Sequence, residues 1–153
     1  MIVLVRHAKA GSRHDGWEDD THRPLSKAGW RQAHALVDPL LAAGAGGPLL
    51  SSPYVRCIET LGPLAEQLAQ PVVVDERLAE DQPIEPLLEL MATTLDGSVL
   101  CSHGDMIPAF MAAIERRGCA IETEPVWKKA SVWVLTRSKK GHFTHASCWA
   151  PPD

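Results

Sequence analysis

The sequence has 153 residues, of which 45% are hydrophobic and 22% charged, and a formal net charge of −4, which predicts one globular domain over residues 1–153. Without excess positive charge, the composition argues against a protein that binds nucleic acid or an anionic membrane surface. The four cysteines form no metal-binding spacing, and no signal peptide or bilayer-spanning apolar run is evident, so we expect free thiols in a cytoplasmic protein.

The chain begins with a short apolar run, Ile2 to Val5, which predicts a strand buried on both faces. Two polar residues, Arg6 and His7, follow this strand directly. Residues 8–24 are polar and rich in charge, which predicts a long loop. Long loops in compact domains are usually functional or disordered.

A helix is predicted next, because Ser26 can cap it and apolar residues recur at helical spacing as far as Leu41. Pro39 lies inside this pattern and predicts a kink or a break. Residues 49–51 read as a second strand. The helix after it begins near Pro53, and we expect the pair at 62–63, Gly-Pro, to interrupt it.

The rest of the chain continues the alternation of strands and helices. In order, it predicts a strand at 71–75, a helix at 84–95, a strand at 98–102, a helix at 106–117 and a final hairpin of strands at 130–137 and 141–147. This order indicates an α/β fold, a three-layer αβα sandwich whose central sheet is mainly parallel with one or more edge strands antiparallel.

Polar side chains follow three of the predicted strands. In parallel sheets, ligands bind beyond the carboxyl ends of the strands, so these residues are expected to meet at one edge. They are Arg6 and His7 after the first strand, Ser51, Ser52 and Arg56 after the second, and Ser102 and His103 after the fourth.

This set of side chains suits phosphoryl transfer. Arg6 and Arg56 supply planar, charged groups that match phosphate oxygens. One histidine can attack phosphorus, because neutral imidazole is a good nucleophile, and the other can donate a hydrogen bond to the transferring oxygens. No Mg²⁺ or other cofactor is required if these groups neutralise the phosphate charge, and no carboxylate cluster clearly suits a Mg²⁺ ion.

Four segments carry a resemblance to a known family. LVRHAKA, SSPYVRCIET and CSHGD are similar to the three signatures of the histidine phosphatase superfamily, which includes the phosphoglycerate mutases and many small phosphatases. RPLSKAGWRQA, with Leu25, Gly29, Gln32 and Ala33, resembles the start of the family's first long helix. The short chain most resembles the compact SixA-like phosphohistidine phosphatases and the phosphatase domain fused behind a Nudix domain in some actinobacterial hydrolases.

The resemblance implies roles for the residues at the strand ends. His7 would become the phosphohistidine intermediate, and Arg6, Arg56 and His103 would bind the phosphoryl oxygens. Arg23, beside the leucine of the helix signature, lies in a basic stretch that either steers anionic substrates or is merely solvated, and it is our candidate for a further phosphate or substrate contact. Ala8 stands where the family usually has glycine, and we expect a modest local adjustment without loss of function.

The general acid is left open by the sequence. Many members of the family that the chain resembles have a glutamate after the third strand, in a pattern like RLAED, which points to Glu80 with Asp81 as a neighbouring substitute. A distant branch has an acidic aspartate near the second histidine, which makes Asp105 a third candidate. Glu80 could equally be a solvated loop carboxylate, and Asp105 could cap the following helix.

The substrate is also left open. It is either phosphohistidine on a protein or a small molecule such as a phosphate ester, nucleotide or sugar phosphate. Two rival functions remain at this point: a non-catalytic module that docks on phosphorylated partners, and a mutase that moves phosphate between hydroxyls of a sugar acid.

Overall fold

Seven strands and five helices make up the computed structural model, which describes residues 1–153. Three short 3₁₀ helices lie in the loops, at Arg13–Asp15, Asp20–His22 and Glu76–Leu78. The strands and helices are β1 Ile2–Arg6, α1 Lys27–Ala35, α2 Val37–Ala42, β2 Leu49–Ser51, α3 Val55–Leu68, β3 Val72–Val74, α4 Ile84–Thr93, β4 Val99–Ser102, α5 Met106–Arg116, β5 Ala120–Ile121, β6 Val132–Arg137 and β7 Phe143–Trp149.

All seven strands join one sheet in the order β3-β2-β4-β1-β6-β7-β5. The pairs β2–β3, β2–β4, β1–β4 and β5–β7 are parallel, whereas β6 is antiparallel to both β1 and β7. The predicted α/β fold with a mainly parallel sheet is therefore confirmed. Its one strand of opposite direction, β6, lies inside the sheet and not at an edge.

The helices cover both faces of the sheet, and the side chains of β1 alternate between the two cores that lie on these faces. Val3 and Val5 pack in a core with residues of α1, α2 and α3. Ile2 and Leu4 point the other way, into a core with residues of α4 and α5. Every one of these four β1 side chains is fully buried, as the apolar run predicts for a central parallel strand.

Two prolines inside predicted helices have different effects. Pro39 is accompanied by a break: α1 ends at Ala35, the residue whose carbonyl a proline ring at position 39 would meet, and α2 begins at Val37. Pro63, by contrast, does not interrupt α3, so the predicted interruption at 62–63 is wrong. Pro63 is buried with its neighbours Leu61 and Leu64, and this packing stabilises the helix despite one missing backbone hydrogen bond.

The short strand β5 at Ala120–Ile121 was not predicted, since two residues carry no readable periodicity. No helix in the structure combines the length and the hydropathy that a membrane crossing needs.

Candidate active site

The carboxyl ends of β1, β2 and β4 lie side by side in the sheet. Arg6 pairs with Ser102, and Ser51 pairs with Cys101, so the three strands end at the same level. His7 comes directly after β1. The structure thus brings together the polar residues that follow these strands in the sequence.

A cavity of about 600 Å³ opens at this edge of the sheet. The predicted residues Arg6, His7, Arg23, Arg56 and Glu80 all line it, together with Ala10, Gly11, Ser12, Arg13, His14, Asp81, Gly104, Asp105 and Lys129. His103 lies behind this lining, where it is 1% exposed.

The imidazole of His7 is held by the backbone of the next residue. Its Nδ1 lies 2.8 Å from the carbonyl oxygen of Ala8, and since a carbonyl can only accept, Nδ1 carries the hydrogen. The other nitrogen, Nε2, therefore keeps a free electron pair. Burial, together with the nearby charges of His103, Arg56 and Arg6, lowers the pKa of His7 to about 3, so the ring is neutral at pH 7.

The ring of His103 stands edge-on to that of His7, with 5.4 Å between centroids. Its Nε2 lies 2.8 Å from the hydroxyl oxygen of Ser52, which also accepts the N–H of Tyr54. If the Ser52 hydroxyl donates to Nε2, Nδ1 is left as an N–H donor. Nδ1 is buried without a hydrogen-bond partner and lies 3.2 Å from Oε1 of Glu80.

The two arginines are fixed from behind, by different contacts. Arg6 donates to the carbonyl oxygen of Trp127, and its guanidinium lies against Gly104, where a Cβ would be 2.7 Å from Cζ. Arg56 donates to the backbone and carboxylate of Asp20 and, at 2.8 Å, to Glu80. In both arginines Nε is buried without a partner.

Two guanidinium N–H donors, Nε of Arg6 and Nε of Arg56, are buried here without a partner. Nδ1 of His103, 3.2 Å from Glu80, is also buried and makes no hydrogen bond. Buried donors are rarely unpaired, because the loss of hydration costs about 1–3 kcal/mol each. Their grouping beside one cavity indicates a site for an anion with several oxygen acceptors.

The three candidate carboxylates all line the cavity, but their contacts differ. Oε1 of Glu80 contacts Arg56 and His103, whereas its Oε2 makes no hydrogen bond within the protein. Asp105 occupies the cap position of α5 without capping it; its side chain accepts the backbone N–H of Asp81. Asp81 itself adopts a left-handed backbone conformation, with φ of 58°.

Arg23 is 4% exposed and is held by two acceptors. Its Nε donates to Oδ1 of Asp20 at 2.8 Å, and one terminal nitrogen donates to the carbonyl of Gly11. The same Asp20 contacts Arg56, and the hydrogen bond from Arg23 lowers the pKa of its carboxyl. Asp20 was missed at the sequence level, although its spacing three residues before Arg23 is a signal that could have found it.

Lys129 is a second residue that the sequence did not reveal. It lies just before β6, and only the antiparallel direction of β6 brings this segment beside the end of β1. The N–H of Ala130, at φ of 66°, donates to the carbonyl oxygens of Arg6 and His7. Burial and then the charge of Arg6 lower the pKa of Lys129. A strand's direction is not readable from its sequence, so no local signal marked Lys129.

The helix signature positions the chain just after His7. A Cβ at Gly29 would lie 1.9 Å from the carbonyl oxygen of Lys9, so only glycine allows α1 to approach this closely. The side-chain oxygen of Gln32 accepts the N–H of Lys9 at 3.0 Å, and the backbone N–H of Ser26 donates to the carbonyl oxygen of Lys9. The N–H of Leu25, just before α1, donates to Glu59 and so joins this segment to α3.

No group of three or more histidine, cysteine, aspartate or glutamate side chains is arranged to hold a metal ion. The groups that the site offers for chemistry are a neutral imidazole with one free nitrogen, cationic groups and buried N–H donors around it, and a carboxylate at 24% exposure.

Solved structures share this fold. The protein histidine phosphatase SixA complexed with tungstate superposes with a TM-score of 0.73 at 18% identity, covering 98% of this chain and 94% of that one. A putative phosphohistidine phosphatase SixA from Agrobacterium tumefaciens gives a TM-score of 0.72 at 22% identity, covering 98% and 97%. At these identities the likeness shows the fold alone.

A relative from Mycolicibacterium smegmatis (strain ATCC 700084 / mc(2)155), named 8-oxo-(d)GTP phosphatase, is 38% identical over 160 residues. The match covers 99% of this chain but 48% of the relative, so the chain spans about half the length of that protein. A model of the histidine phosphatase superfamily (branch 1) matches residues 2–83, which include His7, Arg56 and Glu80. Because this match extends over more than half of the residues, the chain belongs to branch 1 of the histidine phosphatase superfamily.

Proposed function

We propose that the chain is a metal-independent phosphatase that works through a covalent phosphohistidine on His7. One observation carries the proposal: the Ala8 carbonyl holds Nδ1 of His7 and leaves a neutral Nε2 as nucleophile. The unpaired donors of Arg6, Arg56 and His103 beside it support the same reaction, because they suit the oxygens of a phosphoryl group.

In the first step Nε2 of His7 attacks phosphorus, and the bond from phosphorus to the leaving group breaks. Arg6 and Arg56 neutralise the equatorial oxygens, while Nδ1 of His103 donates to one of them as charge develops. The Ala8 carbonyl stabilises the positive charge that the imidazole gains. In the second step water attacks the phosphohistidine, which releases inorganic phosphate and restores neutral His7.

Glu80 is the carboxylate that we assign to proton transfer. It contacts Arg56 and His103 through Oε1, while Oε2 is free to carry a proton to the leaving group or take one from water. Asp105 suits this role less, since its carboxylate accepts the N–H of Asp81. Arg23 supports the site indirectly, because it holds the Asp20 carboxylate that contacts Arg56.

His7→Ala tests the nucleophile. We expect hydrolysis of an aryl phosphate in EDTA to fall by about 10³-fold or more, since no other group lies ready to attack phosphorus. His14→Ala is the matched control, because His14 lines the same cavity but is exposed. Activity that survives in His7→Ala would overturn the mechanism.

Two further measurements separate the rival functions. A ³²P-labelled intermediate, labile in acid and stable in base, is expected from the wild type and not from His7→Ala, whereas a docking module would bind phosphate without labelling. A mutase would return the phosphate to a second hydroxyl, so release of free phosphate as the only product would exclude it.

Glu80→Gln tests the proton donor through the leaving group. Alkyl phosphates have poor leaving groups that need a proton, so we expect kcat to fall by about 10²-fold for them and much less for an aryl phosphate. Asp105→Asn is the control and should leave this ratio unchanged. Equal losses with both leaving groups would show that Glu80 only positions Arg56.

The substrate class has two supported candidates. A protein named as a protein histidine phosphatase shares this fold, which makes phosphohistidine on a protein one substrate to test. The relative with 38% identity is named 8-oxo-(d)GTP phosphatase, which makes a nucleotide the other. A panel of a phosphohistidine protein, nucleoside phosphates and sugar phosphates, compared by kcat/KM, decides between a phosphorylated protein and a small phosphorylated molecule as the partner of this site.

A further inference from the structure

A second cavity, of about 610 Å³, adjoins the one at His7. Arg6 and Lys129 line both cavities and so form the wall between them. The second cavity adds Lys9, Arg31 and Lys128, with uncharged walls from α1 and from the segment after β7.

The charges in the second cavity are almost all positive. Five cationic side chains, Arg6, Lys9, Arg31, Lys128 and Lys129, face one carboxylate, Asp153. None of the five takes part in an ion pair, although the chain as a whole has a net charge of −4. Lys9, Arg31 and Lys128 are exposed, so water solvates them, but five like charges around one concave site raise its positive potential and attract an anion.

The fold holds these cations close to the reaction. Lys9 follows His7 by two residues, and its backbone is clamped by Gln32 of α1. Arg31 is the neighbour of Gln32 on that helix, on the far wall of the same cavity. Lys128 precedes the turn whose Ala130 N–H binds the backbone of Arg6 and His7. The cations thus come from three segments that are all tied to the phosphate site.

From this arrangement we propose that the second cavity is an anion subsite, which binds a second phosphate group of a small-molecule substrate while the transferable phosphoryl lies at His7. The proposal rests on the phosphatase function and specifies its substrate class as a molecule with two phosphate groups. The shared wall of Arg6 and Lys129 carries the inference, because these two side chains can contact both groups of one ligand. A substrate with a single phosphate leaves the cations of the second cavity unpaired.

The test measures binding of ligands that cannot be hydrolysed. Calorimetry compares methylphosphonate with methylenebisphosphonate, whose spacing is that of a phosphoanhydride, and with propane-1,3-bisphosphonate, whose spacing is that of two separate esters. We expect at least one bisphosphonate to bind about 10-fold more tightly than methylphosphonate, since its second phosphonate gains charge-assisted hydrogen bonds to the cations of the second cavity. The preferred length identifies the source of the second phosphate.

Arg31→Ala/Lys128→Ala removes two cations that line only the second cavity. We expect this variant to lose the preference for bisphosphonates and to keep its affinity for methylphosphonate. Arg116→Ala/Lys139→Ala is the matched control, because it removes two exposed cations outside both cavities and changes the net charge equally. It should keep the preference.

The outcomes separate this proposal from the phosphatase function. If no bisphosphonate binds more tightly than methylphosphonate, or if both double variants lose the preference equally, the subsite is wrong, whereas hydrolysis of an aryl phosphate would still support the phosphatase. If the wild type hydrolyses no phosphate ester, the phosphatase proposal fails, while the binding data still report on the subsite. Arg116→Ala/Lys139→Ala should hydrolyse the aryl phosphate at the wild-type rate.

Discussion

A single backbone carbonyl, that of Ala8, determines which nitrogen of His7 carries the hydrogen. Residue 8 is not in the left-handed region, and its N–H donates to the hydroxyl of Thr60 at 2.9 Å. Alanine is therefore accommodated without strain where related proteins usually have glycine. Thr60 in turn donates to the carbonyl of Arg56, so one side chain ties the nucleophile segment to the phosphate-binding helix.

The buried His7 should make the stability of the protein depend on pH. Its pKa is about 3 in the folded state and near 6.5 in the unfolded chain, so between these values only the unfolded state binds the proton. Stability is therefore lost as the pH falls from 6.5 towards 3. We expect about 2 kcal/mol of this loss by pH 5, measured by urea unfolding.

His7→Gln isolates the contribution of this one group. The variant cannot titrate, so its stability relative to the wild type should rise as the pH falls from 7 to 5. His14→Gln, at an exposed position, should follow the wild-type curve. A constant difference between His7→Gln and the wild type over this range would show that His7 is not buried in its neutral form.

Gly104 should be essential for the position of Arg6. In Gly104→Ala the new Cβ would lie 2.7 Å from Cζ and 2.8 Å from a terminal nitrogen of Arg6, so the guanidinium must move. We expect kcat/KM for an aryl phosphate to fall by about 10²-fold, with little change in stability, because the misplaced group is a phosphate ligand.

Gly46→Ala is the control for this substitution, since a Cβ at residue 46 meets no atom within 4 Å. Its kcat/KM should equal that of the wild type. A Gly104→Ala protein with unchanged kcat/KM would mean that Arg6 does not bind the reacting phosphate.

At the scale of elements, α1 and α3 clamp the segment that carries His7. Helix α1 contacts the backbone of Lys9 through Gly29 and Gln32, and α3 contacts Ala8 through Thr60. Both helices lie on the same face of the sheet as Val3 and Val5. The loop after β1 is thus anchored on two sides just beyond the nucleophile.

Two helical glycines should respond differently to alanine. Gly29→Ala places a Cβ 1.9 Å from the Lys9 carbonyl oxygen, so α1 must shift, and we expect a loss of about 3 kcal/mol in the free energy of unfolding. Outside its chain neighbours, a Cβ at Gly62 in the continuous helix α3 meets a ring atom of Trp30 at 3.9 Å. Gly62→Ala should change the free energy of unfolding by less than about 1 kcal/mol, because the helix preference of alanine is offset by crowding against the ring of Pro63.

Denaturant unfolding of both variants measures the two effects under one condition. The contrast itself is informative, because helix propensity alone predicts a gain at both positions. A gain in Gly29→Ala would contradict the close contact between α1 and Lys9.

At the scale of the molecule, one sheet supports both cores and the site. The seven strands form a continuous ladder, and the two clusters of buried residues lie on its opposite faces. We therefore propose that residues 1–153 form a single folding unit. Far-ultraviolet circular dichroism and tryptophan fluorescence should report one coincident transition in urea. Two separated transitions would show that the faces unfold independently.

The net charge of the whole molecule is opposite in sign to the charge that lines its site. The net charge is −4, yet the two adjoining cavities hold most of their lining charge as arginine and lysine. The net charge by itself gave no indication of a basic site. Lys9, Arg13, Arg23 and Arg31 lie close together in the sequence. Lys128 and Lys129 lie just before β6, and only the folding of β6 beside β1 brings them to the same site.

The sequence by itself determined the features that depend on local order. Apolar runs and caps predicted the strands and most helices, and the polar residues after β1, β2 and β4 predicted a shared edge, because parallel strands must end on the same side. The continuous helix through Pro63 was missed, since its stability comes from packing against the core and not from local preference.

Tertiary structure alone decided what depends on the direction and approach of distant segments. The reversed strand β6 brings Lys129 to the end of β1, Asp20 folds back onto Arg56, and the Ala8 carbonyl selects the reactive nitrogen of His7. These contacts join residues through space, and a side chain's partner across the fold leaves no periodic signal in the chain. The sequence thus identified the polar groups that meet at this edge of the sheet, and the fold decided how they are held.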